Sequence, residues 1–134
     1  MDSYLTRQNI SPEDLGLQFG FSLFETFLVG RRCEVFLLDR HIERLSQSMS
    51  CFNIDIHMCK AEFQKLIVNY IQKSRLSGKV LRVTVTSGNR QKGIAPSILF
   101  TSRDNPYAQD LYNKGLKLMA ASFRKNEASP LVMH

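Results

Sequence analysis

Hydrophobic and polar positions divide the chain into strands, then two helices, then further strands. Residues 19–29 read Phe19-Gly20-Phe21-Ser22-Leu23-Phe24-Glu25-Thr26-Phe27-Leu28-Val29. This run is rich in aromatic and β-branched side chains and predicts a strand from about Leu23 to Val29. The preceding stretch, Ile10 to Gly16, has the composition of a loop. Gly30-Arg31-Arg32 reads as a tight turn, and Cys33 to Leu38 predicts a second strand that closes a hairpin. Asp39 is suited to cap the following helix. In that helix Ile42, Leu45, Met49 and Phe52 recur at helical spacing as a buried stripe, with His41 and Arg44 to one side of it. The clearest amphipathic pattern comes next: Phe63, Leu66, Ile67, Tyr70 and Ile71 predict a helix from about Met58 to Ser74, stopped by Ser77-Gly78.

Beyond it the period changes. Lys79 to Ser87 alternates, with Leu81, Val83 and Val85 on one face and Arg82, Thr84 and Thr86 on the other. That is the signature of a half-buried strand. Short strands are expected at Ser97 to Thr101 and at Leu116 to Phe123. The order predicts an α+β fold, a largely antiparallel sheet with two helices packed on one face. The other face, carrying Arg82, Thr84, Thr86 and Thr26, is left to solvent, a ligand or a domain interface.

Composition narrows the class. With 134 residues the chain has the size of one domain, and 43% hydrophobic residues support a real core. No apolar run approaches the ~20 residues of a membrane helix, and the first ten residues hold no apolar leader stretch. The expectation is a cytoplasmic protein without membrane partners. A net charge of +6 favours anionic partners. The basic residues are dispersed, however, with only Arg31-Arg32 adjacent and no basic tail, so nucleic acid is not expected as a partner. Cys33, Cys51 and Cys59 form no C-x-x-C pair, and His57-x-Cys59 lacks a full ligand set for zinc. They are read as reduced and mostly buried, with no metal site. The last residues, Ser129-Pro130-Leu131-Val132-Met133-His134, close on an apolar triplet where a polar tail is usual. The expectation is a sequence that stops inside a structural unit.

Several segments, in order, resemble the N-terminal part of the class IV pyridoxal-phosphate enzymes, the aminodeoxychorismate lyases, branched-chain aminotransferases and D-amino-acid aminotransferases. Asp14-Leu15-Gly16-x-x-Phe19-Gly20-x-x-Leu23-Phe24-Glu25-Thr26 is similar to the family opening D-x-G-x-x-Y/F-G-D-G-x-F-E-T/G. Phe36-Leu37-Leu38-Asp39-x-His41-Ile42-x-Arg44-Leu45-x-x-Ser48 resembles its strand-to-helix signature. Leu81 to Gly88 matches a polar-faced strand of the family more loosely, and Ser129 to His134 resembles the lyases' S-P-L-x-x-H-K.

The resemblance implies that residues 1–134 form the small N-terminal domain of a two-domain enzyme with the fold of D-amino-acid aminotransferase. The Schiff-base lysine would lie in a second domain not contained in this chain, which alone would be inactive and would hold no catalytic residue. The cofactor implied is pyridoxal phosphate, the partners a small-molecule substrate and a second subunit in a homodimer. Arg44 matches the family arginine at the cofactor phosphate, a task that suits a permanently charged, bidentate group. Arg82 matches a substrate-side arginine, Phe19 and Phe24 match aromatic positions lining the substrate pocket, and Thr26 stands where the lyases carry Thr. Glu25 is read as structural, bonded to neighbouring backbone, and His134 as a minor site candidate.

The departures bear on substrate. Leu28 replaces an arginine found two residues after the Thr, Gly20-Phe21-Ser22 replaces G-D-G, and Thr86-Ser87-Gly88 replaces S-R-G. They disfavour a branched-chain aminotransferase. The function implied first is aminodeoxychorismate lyase, which releases pyruvate and leaves 4-aminobenzoate for folate synthesis. Transamination of a D- or branched-chain amino acid, or a non-catalytic basic binding module, are the alternatives.

Overall fold

In the computed structural model, residues 9–107, 109–120 and 122 are described. The elements are α1 (Leu15–Phe19), β1 (Ser22–Leu28), α2 (Leu38–Cys51), α3 (Lys60–Lys73), β2 (Lys79–Thr86), β3 (Ile98–Asp104) and α4 (Gln109–Lys114). The strands form one antiparallel sheet in the order β1-β2-β3, so β1 is an edge strand. Thr26 stands opposite Arg82, and Arg82 opposite Thr101. The α+β expectation holds, with α2 and α3 on one face of the sheet.

That face is where the core sits. Leu81, Val83 and Val85 are fully buried, as their alternation predicts, and Phe27 and Val29 of the first strand region join them. The helices supply Leu38, Ile42, Leu45 and Met49 from α2 and Phe63, Ile67 and Ile71 from α3. Tyr70 stacks on Phe100 with centroids 4.4 Å apart. Each such side chain contributes roughly 1.5–3 kcal/mol by leaving water, which makes this layer the main source of stability.

A second anchor lies at the far end of β2. Asp14 caps α1 by accepting from Gly16 N at 2.7 Å, and its other oxygen accepts from Thr86 Oγ1 at 2.6 Å. Thr86 Oγ1 in turn accepts from Ser97 N at 2.9 Å. Both Asp14 and Thr86 are buried. Gly16 is required by this closeness, because a Cβ there would lie 2.7 Å from that of Thr86. Thr86 is therefore not part of an open polar face, since α1 covers that end of the sheet.

Several local expectations are corrected. The stretch Leu15–Phe19, partly loop-like in composition, is a short helix, and Gln109–Lys114 forms a further short helix, α4, between the sheet and residue 116. No strand forms at 33–38: a single bridge joins Val29 to Val35, and Cys33 and Leu37 have φ of 63° and 53°, which ends any extended run. Asp39 does not cap α2. Leu37 occupies the cap position, while Asp39 sits in the first turn and accepts from Gln64 Nε2 at 2.8 Å. Phe52 lies past the end of its helix and is 43% exposed rather than buried. Cys51 and Cys59 are exposed and Cys33 half-buried, contrary to mostly buried thiols. Cys51 closes α2 and Cys59 caps α3, ends where the core no longer covers the chain. Among the described residues from Leu116 onward no strand forms. Leu116, Leu118 and Met119 are exposed without a neighbouring strand to pair with, and Phe123 lies outside the described residues.

Replacing Asp14 with Ala leaves the half-buried Gly16 amide and the buried Thr86 hydroxyl without their acceptor, and is expected to lower stability by about 2–4 kcal/mol. Urea unfolding checks this, and a loss below about 0.5 kcal/mol would show that the buried carboxylate pins nothing.

Candidate functional site

Alternation along β1 turns Leu23, Glu25 and Phe27 toward the helices, which places one acid between two apolar side chains on the inward face. Glu25 is only 5% exposed. A buried carboxylate must be hydrogen-bonded and paired to persist, and α2 supplies both partners from one line. His41, Arg44 and Ser48 fall at i, i+3 and i+7, one polar ridge beside the apolar stripe.

Arg44 grips Glu25 with both ends of its fork, Nε donating to Oε1 at 2.5 Å and Nη2 to Oε2 at 2.6 Å. His41 Nδ1 lies 2.9 Å from Oε2. Because an ionised carboxylate only accepts, that nitrogen carries the proton. The imidazole is also held edge-on against Phe27, with ring centroids 5.0 Å apart. Burial pushes the Glu25 carboxyl up, but hydrogen bonds and positive charge from Arg44 and His41 outweigh it, so the group stands below its ordinary value of 4.5. Arg44 is raised correspondingly by its bonds to Glu25. Glu25 thus binds two side chains of α2 rather than neighbouring backbone, and Glu43, the nearest acid in sequence, bonds Lys60 instead of Arg44.

The arrangement leaves Arg44 with an outward end. Its side chain is 65% exposed, and Nη1 has no partner among the described residues. It lines a groove of about 380 Å³ between the free edge of β1 and α2, together with Ser22, Phe24, Ser48 and Phe52. The hydroxyls of Ser22 and Ser48 have no hydrogen-bond partner among the described residues. A second pocket of about 310 Å³, mainly apolar, shares Ser22, Leu23 and Phe52 with the first and extends to Leu15, Phe21 and Ile54. A fixed guanidinium with free N–H groups beside two free hydroxyls suits a phosphate, and the adjoining apolar wall suits a ring. On this donor set, Arg44, Ser22 and Ser48 fit the phosphate end of pyridoxal phosphate.

The other residues expected at the site lie on the outer face of the sheet. Arg82 packs its guanidinium over the Phe24 ring, 3.7 Å from the centroid, and Thr26 stands exposed directly opposite Arg82. Phe24 therefore borders both the groove and Arg82. Phe19 is separate: it ends α1, is exposed, and its nearest described ring is Phe21 at 6.2 Å. His134 lies outside the described residues. What the sequence reading missed is the Glu25–His41–Arg44 cluster. Its signal was present as an acid at an inward strand position facing a His and an Arg one helical turn apart.

The sequence pattern of the amino-transferase class IV family matches residues 22–134. The aminodeoxychorismate lyase of Bacillus subtilis is 29% identical over 126 residues, covering 87% of this chain and 42% of that protein. Among solved structures, the 4-amino-4-deoxychorismate lyase of Pseudomonas aeruginosa superposes with a TM-score of 0.60 at 23% identity, covering 86% of this chain and 44% of that one. A hypothetical aminotransferase from Mycobacterium tuberculosis in its PLP-bound form gives a TM-score of 0.63 at 21% identity, covering 75% and 36%. These two likenesses are of fold. The chain spans about two-fifths of the length of the relatives it matches.

The depressed Glu25 carboxyl fixes a pH dependence. Its stabilising ionised form is fully present above the ordinary carboxylate value and is lost as pH falls through the lower folded value. Arg44→Gln removes the main lowering partner and leaves burial, so the acid-unfolding midpoint is expected to move to higher pH. Circular dichroism against pH reads this, and an unchanged midpoint would deny the coupling.

Proposed function

This chain belongs to the class IV aminotransferase family, and we propose that it is the small N-terminal domain, residues 1–134, of a pyridoxal-phosphate-dependent aminodeoxychorismate lyase. Family membership rests on the match over residues 22–134. The lyase reading is supported by the similarity to the Bacillus subtilis protein and by Thr26 standing where the lyases carry Thr. The observation that carries a cofactor role is the free Nη1 of Arg44, held by Glu25 in a groove lined by the unpartnered Ser22 and Ser48 hydroxyls. In this reading the lysine-bearing domain follows in the complete protein, which is a cytoplasmic homodimer.

When bound, pyridoxal phosphate supplies an electron sink for a carbanion next to nitrogen. This chain's own residues bind and orient. Arg44 binds the phosphate, and Glu25 sets the plane of the guanidinium and cancels part of its charge, so that only its outer edge meets the anion. Ser22 and Ser48 donate hydroxyl hydrogens to the same anion. Phe24 forms the wall between groove and outer face, and Arg82, packed on it, holds a substrate carboxylate. Thr26 presents a hydroxyl beside Arg82 that positions a substrate polar group. Phe19, exposed at the end of α1, is the weakest of the proposed substrate contacts.

The complete protein, given pyridoxal phosphate and aminodeoxychorismate, is expected to release pyruvate in step with 4-aminobenzoate. Arg44→Gln is expected to raise the half-saturating cofactor concentration roughly 10- to 100-fold, the worth of a charge-assisted hydrogen-bond pair. Amino-group transfer to a keto acid without pyruvate release would overturn the lyase reading. Unchanged cofactor affinity in the variant would overturn the role of Arg44.

A further inference from the structure

The sheet face turned away from the core carries a second collection of donors. Thr26, Arg82 and Thr101 form one row across the three strands, and Arg103 lies diagonal to Arg82, two residues beyond its partner Thr101. Diagonal positions of this kind stand about 7–8 Å apart at the backbone. These residues, with Val80 and Ser102, line a pocket of about 340 Å³. Val80 is buried yet stands outside the core cluster, as expected for the floor of a site on the opposite face.

No strand residue on this face is acidic. Asp104 belongs to the other parity and pairs with Lys79 at 3.7 Å. Asp14 is held by Thr86 at the far end. Arg82 and Arg103 therefore have no carboxylate partner among the described residues, nor do the Thr26 and Thr101 hydroxyls have any hydrogen-bond partner there. The heads are also kept apart. Arg82 leans over Phe24 with its Nε 3.4 Å from Thr84 Oγ1, in the direction opposite to Arg103. Two unpaired like charges on neighbouring strands repel, and an anion between or across them relieves the repulsion.

We propose that this face binds a ligand with two separated carboxylates, one on Arg82 and one on Arg103, its middle lying along the Thr26 and Thr101 hydroxyls. The site makes Arg103 a specificity-determining residue. The proposal deepens the substrate reading above and rests on it for the ligand's identity: pyruvate and 4-aminobenzoate carry one carboxylate each, so their common precursor carries two.

The test is a ¹H–¹⁵N NMR titration of the 134-residue chain with succinate, with acetate, and separately with inorganic phosphate. Succinate is expected to shift Thr26, Arg82, Thr101 and Arg103 and to bind at least tenfold tighter than acetate, weakening as salt rises. Arg103→Gln, an exposed position that leaves the core untouched, is expected to bring succinate down to the acetate level, and Arg103→Lys to restore part of the difference. Equal binding of succinate by Arg103→Gln and the unaltered chain, or shifts confined to the Arg44 groove, would overturn the proposal. Phosphate separates the two readings. A phosphate response at Arg44 and Ser48 with none to succinate on the outer face rejects this site alone. Succinate binding without a phosphate response at Arg44 supports this site and counts against the cofactor groove.

Discussion

The buried carboxylate of Glu25 organises the helix-facing side of this molecule. Glu25 sits at an inward position of an edge strand, where its charge survives only through bonds to Arg44 and His41 from the facing helix. The need to neutralise that charge fixes how α2 is turned against β1. It also decides which part of the Arg44 guanidinium is left over. Two of its nitrogens face the protein and the third is free, so a demand of folding produces an oriented cation at the rim of a groove. The cluster thereby links the packing of the helix layer to the proposed phosphate site.

Asp14 plays a parallel part at the other end of the sheet, tying a short helix to Thr86 of the central strand. Both acids belong to the family-like opening segment, and neither is free to act on a ligand. The groups that are free are cations and hydroxyls: Arg44 with Ser22 and Ser48 in the edge groove, Arg82 and Arg103 with Thr26 and Thr101 on the outer face. Phe24 lies between the two sets and touches both. In a chain with a net charge of +6, the two buried acids among the described residues are both engaged in structure, and the proposed ligand groups carry positive charge.

The helix stripes and the Leu81-Val83-Val85 alternation were legible because burial on one side imposes a period that local sequence must carry. What was not legible depended on partners distant in sequence. Cys33 to Leu38 has strand-like residues, yet positive φ at Cys33 and Leu37 breaks the run after one bridge. Asp39 has the chemistry of a cap but finds Gln64 instead. Thr86 alternates with the polar face and is nevertheless buried, since α1 folds over it. The residues expected at the site fall into two groups, and their division into an edge groove and an outer face follows from strand order. That order has no local signature.

The account stands on Glu25 holding Arg44 as an anion ligand. The most direct measurement is a crystal structure of the complete protein with pyridoxal phosphate bound. A phosphate oxygen within about 3 Å of Arg44 Nη1, with both Glu25 bonds intact, is the expected result. A phosphate seated elsewhere, with Arg44 facing only solvent, would contradict it.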